Sequence, residues 1–172
     1  ATLRLQNVSA LSNGDFLLFG HDGQAFAFTT SESPNGDLQA RKVQREWRVD
    51  LTGTSTRTVD VTVDLSSLGF PATTNDYALF VDSDGDFTSG ATFHDLDGSG
   101  QATGVTLNDG DYVTVAAIQR TVAFSSATSS GFENAGGVNP GDAFAPALTA
   151  TLNYPSSTAI SGIPYTVSEV TG

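Results

Sequence analysis

The chain has 172 residues, no cysteine, no methionine and a formal net charge of −12 at pH 7, with a pI near 4.1. That length allows one sizeable domain or two small ones. The lack of Cys excludes disulfides, and the charge sets aside nucleic acid and anionic membrane surfaces, which would repel it.

No apolar run approaches the roughly 18 residues of a membrane-spanning helix, so no membrane insertion is expected. Without an initiator Met, the chain reads as a processed or excised piece of a longer secreted or cell-surface protein.

Alternation of apolar and polar residues recurs along the chain, whereas helical periodicity is hard to find, which predicts an all-β fold. In TLRLQNVSA, Leu3 and Leu5 oppose Arg4 and Gln6, the pattern of a strand. Asn13-Gly14 and His21-Asp22-Gly23 mark turns before DFLLFGH and QAFAFTT, and these two runs make a plausible hairpin. His21 beside Asp22 carries no nucleophile motif and reads as a turn residue. SESPNGDLQA is a loop. In REWRVDL, Trp47, Val49 and Leu51 face one way, which makes Trp47 a core residue, with sugar stacking as the functional alternative. RTVDVTVDL buries Val59, Val61, Val63 and Leu65 and exposes Asp60, Thr62 and Asp64. SSLGFPATTND is a loop with one short helical turn expected at Leu65 to Leu68, and YALFVD follows as a strand that buries Leu79.

The next stretch, DSDGDFTSGATFHDLDGSG, carries Asp82, Asp84, Asp86, Asp95 and Asp97 with no Lys or Arg among them. Five like charges repel unless a counter-charge holds them, and a hard cation is the simplest one. Calcium takes roughly six to eight oxygens in flexible geometry, for which short Asp/Gly loops are suited. Asp95-Leu-Asp97-Gly-Ser99-Gly100 follows the opening of the EF-hand loop pattern, but Thr106 stands where that pattern has its bidentate Glu. The expected ligands of Ca²⁺ are therefore Asp82, Asp84, Asp86, Asp95, Asp97 and Ser99, the alternative being a solvated acidic turn. Zinc fits less well, because His94 is the one nitrogen ligand nearby.

GVTL and DYVTVAAIQ read as further strands around Asn108-Asp109-Gly110. A unit of turn, Gly, Asp and aromatic occurs three times, ending at Phe16, Phe87 and Tyr112. Its expected meaning is structural: Gly supplies positive φ, Asp closes the turn, and the aromatic starts the next strand inward. From Arg120 the texture changes to a segment without Lys or Arg, read as strands TVAFSSAT, PALTATLNY and IPYTVSEV. The expected organisation is a β-sandwich domain over 1–119 and a three-strand segment over 120–172, completing the same sandwich or starting a second.

Two resemblances bear on this. DFLLFGHDG, REWRV, VTVDLSSLG and YALFVDSDGDF, within residues 14–117, resemble a β-rich domain of very large bacterial surface and adhesin-type proteins. From Val122 on, the strands with SSGFEN and YTVSEVTG resemble the opening of a Calx-beta-type sandwich, about half of which is present. That resemblance implies an acidic, calcium-ligating position at Glu133.

The expected fold is an antiparallel β-sandwich, jelly-roll or Ig-like, with an edge that a strand from a neighbouring subunit could complete. The expected function is extracellular and structural: a calcium-stabilised subunit of a surface filament or segment of an adhesin. Its partners are copies of itself, joined head to tail by donation of residues 1–10. The alternative is a calcium-dependent carbohydrate-binding module using Trp47 or Tyr77 to hold glycans. No catalytic constellation is present in the sequence, so no enzymatic activity is expected.

Overall fold

The computed structural model describes residues 2–29, 32–53, 55–70, 76–124 and 150–154. The chain divides into two units, Ala1–Arg120 and Thr121–Gly172. In the first unit the strands are β1 (Leu3–Gln6), β2 (Phe16–His21), β3 (Arg41–Lys42), β4 (Trp47–Thr52), β5 (Thr56–Val63), β6 (Asp76–Asp82), β7 (Thr92–Asp95), β8 (Gln101–Asn108) and β9 (Tyr112–Ile118). Every pairing among them is antiparallel. One sheet has the order β1-β5-β8; the larger has the order β2-β4-β9-β6-β7, with β3 also on β9.

The two sheets pack face to face as a β-sandwich. Its core takes Val59, Val61, Val63, Val105 and Leu107 from the smaller sheet and Trp47, Val49, Leu51, Leu79, Val81, Val113 and Val115 from the larger. The alternation in β4 and β5 forces this arrangement, because side chains on a strand point to opposite faces in turn. Trp47, 4 % exposed, is a core residue and leaves no ring for a sugar.

Strands β6 and β9 lie in the middle of the larger sheet and are buried on both faces. Ala78 and Phe80, on the face away from the smaller sheet, are fully buried together with Phe87. Phe87 belongs to the acidic segment after β6. That segment is held by the segment before β3: the Asn35 N–H donates to Phe87 O (2.8 Å), and the Asn35 side chain bonds Ala91 O and Ala91 N at 2.9 and 3.0 Å. The buried Lys42 ammonium lies 5.1 Å from the Phe87 ring centroid and pairs with Glu32 and Glu46.

Some expectations are corrected and others hold. QAFAFTT does not form a hairpin with DFLLFGH; β2 pairs with β4, and only an isolated bridge, Phe28 to Val43, marks the later run. The polar turn at His21-Asp22 does not reverse the chain, because the Asp22 N–H continues the β2–β4 register by donating to Glu46 O (3.1 Å). Residues 3–6 pair within their own chain, Leu3 opposite Val63. Leu65 to Leu68 is a single turn, with Leu68 N–H on Leu65 O at 2.9 Å. The repeated Gly has positive φ at all three places, Gly14, Gly85 and Gly110. Its Asp closes the turn at two: Asp15 Oδ2 accepts the Ser12 N–H and Asp111 Oδ2 the Asn108 N–H, at 2.8 and 2.7 Å. The aromatic faces inward only at Phe87; Tyr112 is half-buried and Phe16 is exposed.

In the second unit β10 (Val122–Phe124) pairs antiparallel with β11 (Ala150–Leu152). The expected strand IPYTVSEV and Glu133 lie outside the described residues.

Candidate functional site

The acidic stretch is divided by the fold into three places. Asp82 ends β6 and is 5 % exposed. Its Oδ1 accepts the N–H groups of Asp84 and Gly85, both at 2.9 Å. Asp84 Oδ1 in turn accepts the Asp86 N–H (2.8 Å), and Asp86 Oδ1 accepts the N–H and hydroxyl of Thr88 at 3.1 and 2.6 Å. Three successive Asx turns therefore wind the loop, each using the Oδ1 atom. Burial, together with neighbouring Asp84, pushes the Asp82 carboxyl above the usual range, against the pull of the two backbone N–H groups. The Thr88 hydroxyl and N–H hold Asp86 below it. Gly85, at φ +83, lies against Tyr112, so an added Cβ would stand 3.3 Å from that ring.

Asp95 is at the other end of the β6–β7 hairpin, opposite Ala78. Four residues of strand, about 13 Å, separate its level from that of Asp82. A basic residue from outside the stretch serves it here. Buried Arg120 pairs with Asp95 and, at 2.8 Å, with Asp76, and its guanidinium lies 5.8 Å from the Phe93 ring centroid. Sequence spacing hid this partner, because Arg120 returns from the end of β9.

Asp97 occupies the crossover from the larger sheet to the smaller. Its Oδ1 accepts the Ser99 hydroxyl (2.6 Å) and the N–H groups of Ser99 and Gln101 (both 2.9 Å). These bonds, the Ser99 hydroxyl first, hold its carboxyl below the usual range. Asp97 and Ser99 thus build a turn, and the six expected ligands do not converge on one point.

A cleft of about 360 Å³ is lined by Asp82, Ser83, Thr92, His94, Thr106, Asn108 and Asp111 with Val81 and Gly90. Asp111, 4 % exposed, is the site residue that the sequence reading treated only as a turn closer; its Oδ2 also accepts the Asn108 Nδ2 (3.2 Å). Its signal was present in the repeated Gly-Asp-aromatic unit. His94 pairs with core residue Leu79, and burial lowers its pKa. Among the described residues, no group of three or more His, Cys, Asp or Glu side chains is arranged to hold a metal ion. Each turn of the Asp82–Asp84–Asp86 loop engages Oδ1 of its Asp.

Among the described residues, no helix is long and apolar enough to cross a membrane. The chain belongs to the family described as Domain of unknown function (DUF8202), whose model matches residues 1–134. No curated protein and no solved structure matches it.

Proposed function

We propose that this member of the DUF8202 family is an extracellular structural module, a calcium-stabilised β-sandwich serving as filament subunit or adhesin segment without catalytic activity. The observation that carries this reading is the environment of Asp82. Several carboxylates of the domain have cationic partners: Asp15 pairs with Arg57 at 2.6 Å, Asp76 and Asp95 with Arg120, Glu32 and Glu46 with Lys42. Asp82 instead has Asp84 beside it and shares a cleft with Asp111. A hard cation bound to the second oxygens of Asp82, Asp84 and Asp86 supplies the missing charge. Asp95, Asp97 and Ser99 are left out of this site, because Asp95 stands opposite Ala78, four strand residues (about 13 Å) from the level of Asp82, and Asp97 and Ser99 lie beyond it in the crossover. Binding only to the folded state adds about 2.7 kcal/mol when free ion is a hundredfold above its dissociation constant. Titration calorimetry with calcium, and melting with and without a chelator, test the reading; no heat and no shift overturn the calcium part.

Calcium-dependent glycan binding is the second reading. It keeps Tyr77, whose ring stacks on exposed Phe70 at 4.4 Å between centroids, and loses Trp47 to the core. Glycan-array binding that disappears on chelation would favour it.

A further inference from the structure

Strand β2 is at the end of the larger sheet among the described residues, so one side of its backbone is unpaired. Because the Asp22 N–H donates to Glu46 O in the β2–β4 register, even-numbered residues turn their backbone groups toward β4. Leu17, Phe19 and His21 turn theirs to the open side. Open edges are usually protected by Lys, Pro, a bulge or brevity, yet β2 reads FLLFGH over six residues and its register with β4 is unbroken. Phe16 and Leu18, on the outer face, are 59 % and 63 % exposed.

We infer that β2 is the contact through which two copies of this chain join, pairing antiparallel about a two-fold axis at Leu18. Cross-strand partners must share a face, so only registers that couple residues of like parity are allowed. Centred on Leu18, the pairing sets Leu18 on Leu18 of the second copy, Phe16 on Gly20, and Leu17 on Phe19. Leu17 and Phe19 supply the open backbone groups, so they form the hydrogen-bonded couples that this register requires. Gly20 leaves open space where a Cβ would meet nothing within 4 Å. It lines a groove of about 140 Å³ with Leu18, Phe19, Arg48 and Asp50, and this groove receives the Phe16 ring of the second copy. Moving the axis to Phe19 sets Phe16 against Asp22, and moving it to Leu17 sets Phe19 against Asp15; both bury a carboxylate beside an aromatic ring. The occupant is thus a second copy, because β2 is complementary to itself in one register.

This contact deepens the structural reading above and rests on it. It is isologous, and in this it departs from head-to-tail donation of residues 1–10. Leu18 to Leu18 is a non-hydrogen-bonded couple, with Cα atoms about 4.5 Å apart, within the reach of a disulfide. The chain has no Cys, so single-Cys variants of the full chain report directly. Leu18→Cys is expected to convert to a disulfide-linked dimer on mild oxidation. Phe16→Cys is expected to stay uncrosslinked, since the two copies of residue 16 stand about four residues, or 13 Å, apart. Leu18→Lys is expected to leave a monomer by sedimentation with an unchanged melting transition, because the side chain is exposed. Three results overturn the inference: a monodisperse monomer at all concentrations, equal crosslinking at 16 and 18, or association that survives Leu18→Lys. The last of these leaves self-assembly as a function intact and moves the contact elsewhere; calcium binding is read separately and is untouched by any of them.

Discussion

The Val63 N–H donates to the Gly100 carbonyl at 2.9 Å, and a Cβ on Gly100 would strike the carbonyl oxygen of Val63. Gly100, at φ +77, ends the turn built by Asp97 and starts the crossover into β8. Two independent penalties meet at this position, positive φ and a backbone collision. Gly100→Ala is expected to cost about 3 kcal/mol, measured by urea denaturation. Gly98, where a Cβ meets nothing within 4 Å, is the control, and Gly98→Ala should be nearly silent.

Val61 and Thr62 test the register of β5. Val61 is fully buried between the sheets, while the Thr62 hydroxyl donates to Gln6 Oε1 at 3.2 Å and the residue pairs with Arg4. Val61→Asp buries an unpaired charge and is expected to unfold the domain, a loss of about 4 kcal/mol or more. Thr62→Asp, opposite a cation, is expected to stay within about 1 kcal/mol of the parent. Circular dichroism melts of both variants decide it.

Removing Arg120 leaves Asp76 and Asp95 without their shared cation. Arg120→Met is expected to cost about 3 kcal/mol, as for a broken buried pair. Adding Asp95→Asn to that variant should recover part of the loss, because one uncompensated charge goes with it. A double variant no more stable than Arg120→Met would assign the whole effect to packing against Phe93.

The cleft carries two opposed pH responses. The Asp82 carboxyl is raised by burial and Asp84, so its contribution is fully present below the unfolded value of 3.8 and is lost as pH rises through the folded value. His94 is lowered by burial, so its contribution is present above 6.5 and is lost as pH falls through the folded value. Asp82→Asn is therefore expected to raise the melting temperature near neutral pH in the presence of chelator, with the gain fading in acid. His94→Gln should flatten the loss of stability as pH falls below 6.5. With calcium the sign at Asp82 reverses, and Asp82→Asn should melt below the parent. A melting series over pH, with and without calcium, checks all three.

The alternation of Trp47, Val49 and Leu51, and of Val59, Val61 and Val63, made the sandwich core readable, because a period of two leaves little choice of face. The partners of those strands were not readable in the same way. Nothing local tells β2 to pair with β4 across the intervening loop, and His21-Asp22-Gly23 imitates a hairpin turn. The acidic stretch was readable as an acidic, turn-rich loop but not as separate places in the fold. Its division depends on the β6–β7 register and on Arg120, which is 25 residues from Asp95. Phe16 was misread for a related reason: its place in a Gly-Asp-aromatic unit fixes the turn, while its exposure follows from its pairing with Thr52, which puts its ring on the outer face of the larger sheet.

Strand order also governs when this domain can exist during synthesis. β9 lies between β4 and β6, yet Tyr112–Ile118 leave the ribosome after both of them. Until then β4 and β6 lack a common neighbour, and the valines of β5 wait for β8 as well. Such long-range closure places folding in the slow regime of millisecond-to-second β-domains. A nascent chain ending before Tyr112 should remain protease-sensitive, and one extended through Arg120, which brings the counter-charge for Asp76 and Asp95, should become resistant in a single step.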